Sequence, residues 1–229
     1  MKKNYFFILI FVMLTVGYKY DQEGKWDIKR SDPTIWVKFC SSMEDQDFKQ
    51  SDLPDDDVLE DESIEFDDVI NSVINDFNNI GPSFLRLAVY PEDDDNPGDP
   101  AAGDSTFTKD RAEDRTISVC IESSDNPFQG GHAISYREEG KRVACTIVLA
   151  SSTEDKIHSF VQTLTHEIGH CLGLDHDQNT SKSIMSYFLD EGEIRLLPSD
   201  EVGIASLYPE DKEDMKEYSN FGMGCTFRD

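Results

Sequence analysis

The stretch Thr165-His166-Glu167-Ile168-Gly169-His170-Cys171-Leu172-Gly173-Leu174-Asp175-His176-Asp177 decides how the rest of the chain is read. His166 and His170 are four residues apart, so on a helix they stack on one face, about 5–6 Å apart at Cβ. That spacing suits two imidazole nitrogens each about 2.0–2.1 Å from one zinc ion. Gly173 can take the left-handed conformation that ends a helix and reverses the chain. His176 can then swing back as a third ligand from outside the helix. Three protein ligands leave the fourth tetrahedral position to water, the mark of a catalytic rather than a structural zinc site. Glu167 is turned about 100° from His166 on the helix, toward that water rather than the metal, and is the expected general base.

Working upstream, Ile157, Phe160, Val161, Leu164, Ile168 and Leu172 form one apolar stripe about 120° wide, with His166 and His170 on the opposite side. Three of the five histidines fall within eleven residues at these offsets, which weighs against ordinary core or surface histidines. Ser152 and Asp155 have capping-box spacing for the helix start. Before it, residues 132–138 and 142–150 read as a hairpin around Glu139-Gly140, one arm alternating and one buried. Residues 34–40, 84–90 and 116–122 read as strands. Ser63 is placed to cap a helix with Val69, Ile70, Val73, Ile74 and Phe77 inward, stopped by Gly81-Pro82. Downstream, a short helix from Ser199 to Tyr208 ends at Pro209. The acidic runs 52–62 and 91–104 read as solvated loops. The second could hold Ca2+, although the EF-hand pattern is absent.

The chain has 229 residues, 38% of them hydrophobic, and a formal charge of −26 from 47 acidic against 21 basic side chains. Such a surface repels nucleic acid and anionic membranes. Met1-Lys2-Lys3-Asn4 followed by an uncharged stretch to Val16 is too short to span a bilayer and reads as a secretory signal, residues 1–17. Residues 18–33 are polar and expected extended, 34–210 form the domain, and 211–229 a charged tail. Export and oxidation follow. The cysteines at 40, 120, 145, 171 and 225 show no C-x-x-C spacing, their pairing is open, and Cys225 reads as half of a clip.

The His-Glu-x-x-His-x-x-Gly-x-x-His pattern, followed by Met185 within Ser183-Ile184-Met185-Ser186-Tyr187, resembles the metzincin zinc metallopeptidases. The strand–helix–strand–strand–hairpin order ahead of the motif is similar to their upper subdomain. The resemblance implies an α+β fold: a five-stranded, mostly parallel twisted sheet, two long helices, an active-site cleft, and a small lower subdomain with a C-terminal helix. It implies Met185 as the Met-turn beneath the metal. Substrate would lie extended along an edge strand beginning His132, Ala133, Ile134, pairing backbone to backbone. Residues 197–208 resemble the last helix of matrixins, Met185-Ser186-Tyr187 resembles serralysins and astacins, and Asp177 resembles adamalysins. In serralysins and astacins the corresponding tyrosine reaches the metal, which implies Tyr187 as a fifth ligand or an oxyanion donor. The matrixin propeptide cysteine motif is absent, and His132 and His158 alone cannot build a second, structural zinc site. Asp21 could reach the zinc as a latency carboxylate.

These readings converge on a secreted, monomeric zinc endopeptidase acting on extended polypeptides, without stable membrane insertion after signal removal. A secreted zinc-dependent binding protein, or an amidase on the same scaffold, is the alternative. Loss of the glutamate would favour the binder, and Glu167 is present.

Overall fold

The computed structural model describes residues 24–40, 43, 47–49, 63–90, 115–122, 130–150, 157–177, 182–186 and 194–210. The elements run β1 (Thr34–Phe39), β2 (Asp47–Lys49), β3 (Ser63–Glu65), α1 (Phe66–Asn78), β4 (Arg86–Val89), β5 (Thr116–Glu122), β6 (Gly131–Glu138), β7 (Lys141–Ala150), α2 (Ile157–Leu172) and α3 (Pro198–Leu207). Five strands form one sheet in the order β4-β1-β5-β7-β6. All neighbours are parallel except β6, which pairs antiparallel with β7 at the edge. This is the α+β, mostly parallel architecture expected.

Alternation puts Ile35 and Val37 of β1, Ile117 and Val119 of β5, and Ile147 and Leu149 of β7 on one face of the sheet. All are buried in one core with Val69, Ile70, Val73, Ile74 and Phe77 of α1 and Phe160, Leu164, Ile168 and Leu172 of α2. The helix stripes read from the sequence are therefore the faces that cover the sheet. Val161, assigned to the α2 stripe, is only half-buried at its margin. The β6–β7 hairpin turns at Glu139 and Gly140, whose φ values of 49° and 82° match the two-residue turn that suits the twist of paired strands.

Three expectations need correcting. Ser63 does not cap α1: it pairs with Lys49 in the small β2–β3 sheet, and the helix starts at Phe66 after Glu65, with no side-chain cap. Asp67 and Asp68 in the first turn meet the positive end of the helix dipole instead. The segment before β1 is not wholly polar and extended, because Trp26 and Ile28 are buried in the core while Lys25, Asp27 and Lys29 are exposed. Trp26 bridges Arg142 at the start of β7, and Asp27 pairs with Lys141 at 2.7 Å.

The third correction concerns cysteines. Cys40 is bonded to Cys120 and Cys145 to Cys171. These bridges use four of the five cysteines, so none remains in the chain with which Cys225 could close a clip. The expected signal (1–17), the α2 capping pair Ser152 and Asp155, Asp21, both acidic runs (52–62 and 91–104) and the tail (211–229) lie outside the described residues. Among the described residues no helix is long and apolar enough to cross a membrane.

Candidate metal centre

α2 ends as its sequence suggests. Gly173 takes a φ of 107°, its N–H returns to His170 O at 3.0 Å, and the Leu174 N–H to Gly169 O at 2.9 Å. This left-handed cap turns the chain so that His176 faces His166 and His170 from outside the helix. His176 Nε2 lies 3.2 Å from His166 Nε2 and 3.1 Å from His170 Nε2. Donors at 2.0–2.1 Å from a tetrahedral zinc stand about 3.3–3.4 Å from one another, so the triad is close to the spacing zinc requires. It is the one group of at least three His, Cys, Asp or Glu side chains suited to a metal among the described residues. Nothing there supports the calcium expectation.

The tautomers strengthen the fit. His166 Nδ1 is 2.6 Å from Ile184 O, and His170 Nδ1 is 2.8 Å from Leu174 O. A carbonyl can only accept, so both Nδ1 atoms carry the proton and both Nε2 atoms present lone pairs. His176 Nε2 could donate to only one of them. A cation at the centre satisfies all three. Burial lowers the pKa of each imidazole, that of His170 to about 3 with help from the neighbouring histidines, which keeps them in the neutral, metal-binding form.

Glu167 is buried, and its Oε2 has no hydrogen-bond partner. Burial pushes its carboxyl up to about 7. An unpartnered buried carboxylate oxygen is costly, and it stands on the residue that directly follows His166 on α2.

Residues 183–186 underlie the triad. Met185 is fully buried, and a Cβ added at Gly169 would stand 2.5 Å from its sulfur, so the helix and the turn meet because position 169 has no side chain. The Asp177 N–H donates to Met185 O at 2.9 Å, joining the residue after His176 to the same turn. Asp200 of α3, fully buried, accepts from Ser183 Oγ at 2.6 Å, from the Ile184 N–H at 2.9 Å and from the Leu197 N–H at 3.0 Å. It thereby holds Ile184, the residue whose carbonyl meets His166 Nδ1. Asp200 was not singled out in the sequence, although an acid just inside a helix behind Leu197-Pro198-Ser199 was a readable signal.

His132, Ala133 and Ile134 lie on β6, the edge strand. His132 and Ile134 are exposed, and Ala133 is half-buried against the core. Tyr187 lies outside the described residues.

The family model described as Matrixin matches residues 14–209. No curated protein matches the sequence. Similar solved structures include the GM1-bound form of the ECX AB5 holotoxin, at 12% identity and TM-score 0.48 over 90% of this chain and 99% of that one. High choriolytic enzyme 1, a hatching-enzyme zinc protease from the medaka fish Oryzias latipes, is similar at 13% identity and TM-score 0.40, over 83% of this chain and 96% of its own. Myroilysin is similar at 13% identity and TM-score 0.42, over 84% and 98%.

Proposed function

This chain belongs to the matrixin family, and from that premise we propose that it is a secreted zinc-dependent endopeptidase. The observation that carries the reading is the meeting of three Nε2 atoms, those of His166 and His170 at 3.2 and 3.1 Å from that of His176, the first two with Nδ1 committed to carbonyls, beside a buried carboxylate with an unpartnered oxygen. In this reading His166, His170 and His176 hold one zinc ion. When bound, zinc lowers the pKa of water toward neutrality and polarises a carbonyl.

Glu167 takes the proton of the attacking water through Oε2 and returns it to the leaving amine. The Ile184 and Leu174 carbonyls keep the ligand imidazoles in one tautomer and one orientation. Met185 packs beneath the site and does no chemistry. Tyr187, two residues on, donates a hydrogen bond to the oxyanion or serves as a fifth ligand. The outer edge of β6 at His132, Ala133 and Ile134 aligns an extended polypeptide by strand addition. The two disulfides suit an oxidising, extracytoplasmic compartment. The working division is 1–17 signal, 18–33 N-terminal segment, 34–210 catalytic domain and 211–229 tail, with a monomer as the active unit.

The test is cleavage of denatured casein by the purified, zinc-loaded protein, with and without o-phenanthroline. Hydrolysis that the chelator abolishes and added zinc restores is expected. Hydrolysis indifferent to the chelator would contradict the metal reading, and no hydrolysis by zinc-loaded protein would favour a binding protein on this scaffold.

A further inference from the structure

The last carbonyls of a helix have no intrahelical partner, and where they are buried they must find donors elsewhere. At the end of α2, three side chains from distant parts of the chain converge on three consecutive carbonyls. The Arg142 guanidinium donates to His170 O at 2.9 Å and also to Cys171 O. The Trp26 indole Nε1 donates to Cys171 O at 2.7 Å. The Tyr208 hydroxyl donates to Leu172 O at 2.7 Å and accepts the Trp26 backbone N–H at 3.3 Å. All three side chains are buried, so water does not stand in for them. Burial pushes the Tyr208 hydroxyl well above its usual pKa, keeping it a donor. The guanidinium also stands at the negative end of the helix dipole, and the Cys145–Cys171 bridge ties the same turn to β7.

We propose that Trp26, Arg142 and Tyr208 are positioning residues for the metal centre, acting together on the last turn of α2 and through it on His170. The inference rests on the zinc reading above. The carbonyl that Arg142 engages is that of His170 itself, and it also takes the Gly173 N–H that turns the chain. The next residue, Leu174, accepts the proton of His170 Nδ1. A shift of this turn therefore moves a ligand, its tautomer-fixing partner and the approach of His176 together. By this account the segment ahead of β1 is part of the support of the site, although it supplies no ligand.

Tyr208→Phe removes one oxygen while leaving the ring, and strands both Leu172 O and the Trp26 N–H. Val37→Ala is the control: it opens a cavity in the sheet core on β1 and touches none of these hydrogen bonds. In the full chain with its disulfides formed, zinc affinity is measured by chelator competition, and the Co2+-substituted protein by its visible spectrum, at a temperature where circular dichroism shows each variant folded. The expected result is zinc binding weakened about tenfold in Tyr208→Phe, the scale of losing support around a ligand, with shifted Co2+ bands. Val37→Ala should keep wild-type affinity and bands despite a lower Tm. Trp26→Phe, which deletes the indole donor, should behave as Tyr208→Phe does and replaces it if that variant does not fold. Wild-type affinity and bands in the variant tested would overturn the inference while leaving the zinc reading intact. A wild type that takes up no zinc would overturn both.

Discussion

Replacing Asp200 by alanine should damage both stability and metal binding, although the residue supplies no ligand. Its carboxylate accepts from Ser183 Oγ, Ile184 N and Leu197 N at 2.6–3.0 Å, and it is fully buried. A buried donor left without an acceptor costs about 1–3 kcal/mol. The Ile184 N–H, under the metal centre, bears that cost in full. The Ser183 hydroxyl can rotate and the Leu197 N–H is nearer the surface, so each bears part of it. The sum is about 3–5 kcal/mol, a large share of the roughly 5–15 kcal/mol that holds a domain folded. Asp200→Asn keeps the shape and one acceptor and should lose about 1–2 kcal/mol. Urea denaturation gives the stability change, and zinc retained through gel filtration gives the effect on His166, whose Nδ1 proton goes to Ile184 O at 2.6 Å. An alanine variant within about 1 kcal/mol of wild type, or one holding zinc as tightly, would refute the reasoning.

Gly169→Ala should lower stability by up to about 2 kcal/mol, because a gain of about 1 kcal/mol in helix propensity is set against the cost of about 1–3 kcal/mol of a methyl group forced to 2.5 Å from the buried Met185 sulfur. A raised Tm would show that the turn yields freely. Chain entropy ranks the two disulfides: the Cys40–Cys120 bridge, 80 residues apart, is worth about 4.5 kcal/mol and the Cys145–Cys171 bridge, 26 apart, about 3.5 kcal/mol. Paired alanine variants compared by urea denaturation check both size and order, and only the second pair should also weaken zinc, since Cys171 adjoins His170.

The elements that were legible share a cause. α1, α2 and the strands β1, β5 and β7 each bury one periodic face, and that periodicity is written locally in residues such as Val69, Val73 and Phe77 or Ile117 and Val119. The triad was legible because an i, i+4 histidine pair and a left-handed glycine at 173 fix its geometry over eleven residues. What stayed hidden was non-local. Trp26 sits among charged neighbours, and nothing nearby says that its indole meets Cys171 O, 145 residues on. Arg142 opens an apolar run, and nothing in that run says that its guanidinium is buried against a helix terminus. Strand β2 lies in a polar stretch with no apolar alternation, and its pairing with β3 removed Ser63 from the cap position assigned to it.

Glu167→Ala separates a zinc peptidase from a zinc-holding protein without hydrolytic activity. The variant keeps all three histidines and the carbonyls that orient them, so zinc should stay near one per chain. Removing a buried carboxylate whose Oε2 lacks a partner should leave stability unchanged or slightly raised. Hydrolysis of denatured protein should fall by at least about 10²–10⁴-fold, the usual contribution of a general base. Wild type and variant are compared at equal, measured zinc content, so a difference reports the carboxylate and not the metal. Cleavage by the zinc-loaded wild type and its loss in the variant is the result predicted; equal cleavage by both would contradict the account.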